Sequence, residues 1–225
     1  MTFEEWTAYV FDHPVTDPAW HWDINAEHWN GPAATIVAYL TQTFERADSV
    51  LLPFSDAQVY QGLNYLVSAS CSSYMFALRE EAVPLASRLR GIQAMVTLFE
   101  TCFAKRCSPH LSHLDEAGAN PLNVVCYMWW DILPMHGFTY HEPARADSAA
   151  LDQALLAAIK QILQMDAIVC QESALHGLGE WYPYYPEVAE DTIAEFLGRY
   201  RGWRSRKLRP ELRSYAERAR IGYVQ

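Results

Sequence analysis

DAIVCQESALHGLGEWYPYYPEVAEDTIAEFL, residues 166–197, decides the fold of this chain. Ala174, Leu175 and Leu178 share one face of its first half, and Val188, Ile193, Phe196 and Leu197 form an aliphatic stripe in its second. Both spacings are helical rather than alternating. Pro186 suits the first turn of the second helix, where a missing N–H removes no hydrogen bond. Small Ala174 and Gly177 would let a neighbouring helix approach closely. Gly179 is expected to end the first helix in the left-handed conformation. The stretch therefore predicts two antiparallel helices joined by an aromatic turn.

The same periodicity extends outward in both directions. Residues 120–133, NPLNVVCYMWWDIL, are apolar on nearly all sides and predict a central helix stopped by Pro134. Residues 84–106 predict a long helix with a stripe of Leu85, Leu89, Ile92, Met95, Val96, Phe99 and Phe103. Lys105 and Arg106 at its end complement the helix dipole. Residues 2–12 form a helix opened by Thr2 with Glu5 three positions on, and Ser55 opens another. Pro32 begins a helix that runs to about residue 48, and residues 149–164 and 210–219 complete the set. Residues 15–31, 107–119 and 135–147 read as irregular, the last as an exposed loop. No Asn-Gly or Asp-Gly turn lies between alternating runs, so strands are not expected. The fold class is all-α, a single domain over residues 1–225 built from stacked antiparallel helix pairs. The expected core includes Leu89, Ile92, Val96, Phe99, Val125, Met128, Leu175 and Leu178.

Residues 166–197 resemble a HEAT-like repeat, in which a first helix carries small residues and a Leu-Gly, and a second helix carries an aliphatic stripe. The resemblance covers about one repeat, and the YPYYP insert lengthens its turn. The chain also resembles a family of bacterial proteins of similar length that carry NPLN–CYMWWD and CQESALHGLG, a likeness that brings no chemistry with it. HEAT-like stacking (an α-α superhelix) implies an interaction scaffold.

Composition narrows the classes. At 51% hydrophobic and 20% charged the chain is of ordinary globular type, and 13% aromatic residues permit a large core. No apolar run approaches the ~18 residues of a membrane span, and the acidic N-terminus lacks the basic region of a signal peptide. The expected address is the cytoplasm. Cys71, Cys102, Cys107, Cys126 and Cys170 are odd in number and lack CxxC spacing, which suits small apolar residues on buried helix faces. Residues 199–225 hold nine bases against two acids, +7, which leaves −17 on residues 1–198 of the −10 total. The basic segment is expected to cap the helix stack, with Leu212, Tyr215 and Ala219 on its apolar face.

Candidate functional residues fall into two groups. Glu172 and His176, four apart on one helix, and His110 and His113, in one loop with Asp115 and Glu116, are candidate metal ligands. Trp181, Tyr182, Tyr184 and Tyr185 are candidate partner-binding residues, because Tyr and Trp are favoured interface anchors. Asp131 sits on an apolar helix and is expected to be buried against a partner such as an Arg. No GxSxG, GxxxxGK[ST], HExxH or GxGxxG motif occurs, so no catalytic residue and no cofactor are assigned. The leading expectation is an acidic protein-binding module, not an enzyme, that steers a basic protein partner; a bacterial immunity protein against a toxin is one form of it. The alternative is a metal-dependent or acid/base enzyme with a site assembled from dispersed His, Asp and Glu. Nucleic-acid binding through the basic tail ranks last, since the −17 body repels phosphate.

Overall fold

The computed structural model describes residues 1–201 and 207–224, and every regular element among them is helical. In chain order the α-helices are α1 (Phe3–Phe11), α2 (Ala33–Glu45), α3 (Ala47–Val50), α4 (Asp56–Val67), α5 (Leu85–Leu98) and α6 (Ala104–Arg106). They continue with α7 (Leu122–Ile132), α8 (Phe138–His141), α9 (Ser148–Leu163), α10 (Ile168–Trp181), α11 (Pro186–Gly198) and α12 (Pro210–Ala219). None is long and apolar enough to cross a membrane. Of the nine bases at the C-terminal end, Arg204 and Arg206 lie outside the described residues.

Local chemistry sets the helix starts. Thr2 and Glu5 form a reciprocal capping box on α1, and Ser55 and Gln58 form another on α4. Pro186 and Pro210 open α11 and α12. Between α5 and α6 the chain widens into a π-turn, Phe99–Phe103, whose Phe99, Cys102 and Phe103 are buried. Phe99 stacks on Trp130 at 5.9 Å and meets Trp129 edge-on.

Helices packed together are mostly distant in the chain. α2 packs on α5, α5 on α9, α9 on α10, α10 on α7, α7 on α4 and α4 on α1, which returns to α2. The π-turn touches α3, α5, α7 and α10 from inside this circuit. α10 is the most enclosed helix, with every residue from Val169 to Gly179 buried, and α11 and α12 also pack against it. A Cβ at Gly177 would lie 2.7 Å from Trp130, so the α7–α10 crossing depends on that glycine.

Four expectations need correction. Gly179 does not end its helix; α10 runs on to Trp181, and Gly179 instead admits Val224, which a Cβ would meet at 2.2 Å. α7 is less enclosed than its apolar sequence implies, with Val124 and Asp131 exposed and Met128 half-buried. Leu89 and Val96 are also half-buried, because α5 is wedged between α2 and α9 and buries Gly91, Ala94 and Leu98 instead. Residues 135–147 are not simply an exposed loop: Met135 and Phe138 are buried, and the Asp152 carboxylate accepts hydrogen bonds from the backbone N–H groups of Phe138 and Thr139.

At the end of this segment Asp147 joins two cations. Its carboxylate lies 2.5 Å from Arg145 and 2.5 Å from Arg88, whose side chain is almost fully enclosed. The Arg145 guanidinium foremost, opposed by desolvation and aided by Arg88, holds the carboxyl at about 2, below its ordinary 3.8. A depressed folded pKa contributes stability above the unfolded pKa and loses it as pH falls through the folded one. Asp147→Asn is thus expected to be less stable than the wild type at neutral pH, with the gap closing between about pH 4 and pH 2. Urea midpoints across that range check it; a gap independent of pH would refute the linkage.

Candidate metal centre

The polar residues of α10 take up two directions. Glu172, fully enclosed, turns toward the loop before α7. Its carboxylate accepts hydrogen bonds from the backbone N–H of Ser112 at 3.0 Å, the backbone N–H of His113 at 3.0 Å and His113 Nδ1 at 2.6 Å. An ionised carboxylate only accepts, so three donors converging on it make a structural anchor. The loop thereby delivers His113 face-to-face onto Tyr215 of α12, with ring centroids 4.2 Å apart.

His176, one turn further along, points elsewhere. Its Nδ1 lies 2.8 Å from the Tyr215 hydroxyl. Its Nε2 is buried with no hydrogen-bond partner. One ligand atom each from His176, Asp131 of α7 and Glu180 of α10 fall within 4.8 Å of one another. Asp131 is exposed, Glu180 half-buried and His176 only 5% exposed. Asp131 therefore corrects another expectation: it faces solvent on α7, and no Arg pairs with it among the described residues.

The electrostatics of the cluster favour a cation. Burial lowers the pKa of His176, against the pull of Asp131 and Glu172, a shift toward the neutral imidazole that a metal ligand needs. Burial and then the neighbouring Asp131 charge raise the pKa of Glu180. An imidazole with an unpartnered nitrogen grouped with two carboxylates is a donor set without a positive side chain among its three members. Imidazole and carboxylate together suit zinc, manganese or iron. Two ligands of one such ion stand at most ~4.2 Å apart, and the exposed Asp131 and half-buried Glu180 have the side-chain freedom to close that gap.

The four metal candidates from sequence are thus separated. Glu172 joins His113, His176 joins Asp131 and Glu180, and His110 stays in the loop. The His110 carbonyl accepts from the Asn123 side chain, and its ring lies near Glu116. Glu180 was missed, although His176 and Glu180 are four apart and share a helix face. The four aromatic candidates are largely engaged within the chain. Trp181 is buried, Tyr182 packs at Gly222, Tyr184 packs at Gly137 and lies 3.0 Å from His141 Nε2, and the Tyr185 hydroxyl donates to Asp152 at 2.7 Å.

The described residues form an all-α protein in which a cluster of two carboxylates and an imidazole is drawn from α7 and α10. Comparison with protein-family models, curated proteins and solved structures finds no match in any of the three.

Proposed function

We propose that this chain holds a divalent transition-metal ion between Asp131, His176 and Glu180, and uses the remaining coordination positions for metal-dependent chemistry. The observation that carries this is the grouping within 4.8 Å of one ligand atom each from Asp131, Glu180 and His176, a histidine whose buried Nε2 has no hydrogen-bond partner. Other buried ring nitrogens, those of His21, His110 and His136 among them, also lack a partner, and His176 is the one grouped with two carboxylates among the described residues. Three protein ligands leave room for water or a substrate oxygen, and the exposure of Asp131 gives access from solvent. A metal there would act as a Lewis acid or lower the pKa of a bound water.

The acidic protein-binding module, with its toxin-neutralising form, ranks second. Its support is the −17 charge of residues 1–198, and its aromatic anchors are mostly occupied inside the fold. HEAT-like stacking has its best support in the sequential packing of α9, α10 and α11.

Metal analysis of the purified protein, followed by zinc titration of metal-stripped protein, tests the proposal. One ion per chain is expected. Asp131→Asn combined with Glu180→Gln should abolish stoichiometric binding while leaving the helical circular dichroism unchanged. Failure of the wild type to bind zinc, manganese or iron would overturn the proposal. So would a double variant that binds like the wild type.

A further inference from the structure

We propose that the C-terminal helix α12 is a working part of the metal centre: Tyr215 is the positioning residue for His176, and metal occupancy locks α12 onto the core. This rests on the metal-binding proposal above and adds what regulates that site.

A histidine binds a metal through the nitrogen that carries no proton. The hydrogen bond made by its other nitrogen selects that tautomer and fixes the ring. Among the described residues His176 has one hydrogen-bond partner for that task, Tyr215. Tyr215 Oη, 2.8 Å from Nδ1, can accept the Nδ1–H, which leaves the Nε2 lone pair without a partner and open to an ion shared with Asp131 and Glu180. Tyr215 can then donate its hydroxyl hydrogen bond to Tyr127 Oη, 2.9 Å away on α7. With the opposite tautomer, Tyr215 would donate into Nδ1 and Nε2 would carry the proton, which blocks ligation. A bound ion therefore favours the arrangement in which Tyr215 accepts from the imidazole.

Tyr215 is itself held from several sides. Its ring is buried, stacks on His113 and lies 5.4 Å below the Arg218 guanidinium. His113 is anchored in turn by Glu172. The Tyr215 hydroxyl thus reaches His176 only while α12 is docked. Whatever binds the docked state and not the undocked one stabilises docking by mass action. Tail docking and metal ligation are accordingly two sides of one equilibrium, and each strengthens the other by the same factor.

The test uses the full chain and zinc. Tyr215→Phe keeps the ring and its stacking but removes the acceptor. Zinc affinity, measured by competition with a chelating dye, should fall roughly 10–100-fold, with the helical circular dichroism of the metal-free protein unchanged. In the wild type, zinc should slow amide hydrogen exchange across residues 210–219, and it should not do so in the Asp131→Asn, Glu180→Gln double variant. The exchange measurement decides the matter even if Tyr215→Phe folds poorly. Zinc binding by the wild type with no affinity loss in Tyr215→Phe and no protection of residues 210–219 would overturn this inference alone. A wild type that binds no metal would overturn it together with the proposal beneath it.

Discussion

Truncation after Gly198 is expected to lower the melting temperature sharply and to leave a protein that aggregates. Leu212, Tyr215, Ala216 and Ala219 of α12 are all buried, and Val224 beyond it fills the space over Gly179. Burying a large apolar side chain is worth ~1.5–3 kcal/mol, so the three larger ones together amount to a substantial part of the ~5–15 kcal/mol by which a typical domain is stable. The ion pairs of the tail add less. Arg209 bonds Glu116, but both groups meet solvent, and such pairs are worth ~0–1 kcal/mol. Loss of α12 also uncovers the flank of α10 and takes the Tyr215 hydroxyl from His176. Thermal melts and light scattering of the truncated chain check this. A truncated protein that stays monomeric and melts as before would show that residues 199–225 contribute little to the core.

The apolar face of α12 was legible because Leu212, Tyr215 and Ala219 recur at helical spacing among arginines. Thr2, Ser55, Pro186 and Pro210 were legible as helix starts because capping is local chemistry. The central position of α10 was not. Gln171, Glu172, Ser173 and His176 give it a mixed face in sequence, yet all four are buried. Their partners come from elsewhere in the chain: the Met165 carbonyl for Gln171, the loop of Ser112 and His113 for Glu172, the Cys126 carbonyl for Ser173 and Tyr215 for His176. Periodicity scores such residues as surface, whereas a satisfied hydrogen bond removes most of the burial penalty. The reverse holds for α7, whose apolar run conceals an open side at Val124 and Asp131.

The candidate site was half legible for the same reason. His176 and Asp131 stood out by residue type. Their meeting depends on the crossing of α7 and α10, which passes over Gly177 against Trp130, a tertiary fact with no local signature. The four-residue spacing of Glu172 and His176 places both on one face of α10. It does not fix where each side chain turns, and the loop donors draw Glu172 away from the cluster.

That division of labour within α10 yields a second large effect. Glu172→Ala is expected to destabilise the fold by about 3–5 kcal/mol, since each buried donor left without an acceptor costs about 1–3 kcal/mol. The variant leaves two backbone N–H groups and the His113 ring nitrogen without an acceptor in an enclosed site. Glu172→Gln is expected to be milder, since one amide oxygen still accepts, although its NH2 faces a donor. Urea denaturation gives both values. The same proteins also separate the two roles of the helix. Glu172 anchors the loop and does not belong to the Asp131–His176–Glu180 set, so the folded Gln variant should retain stoichiometric zinc. A Gln variant that is fully stable but binds no metal would make Glu172 a ligand and return the metal site to the Glu172–His176 pair. A Glu172→Ala loss under ~1 kcal/mol would show that the three donors find other acceptors, and that this carboxylate is not what holds the loop to the core.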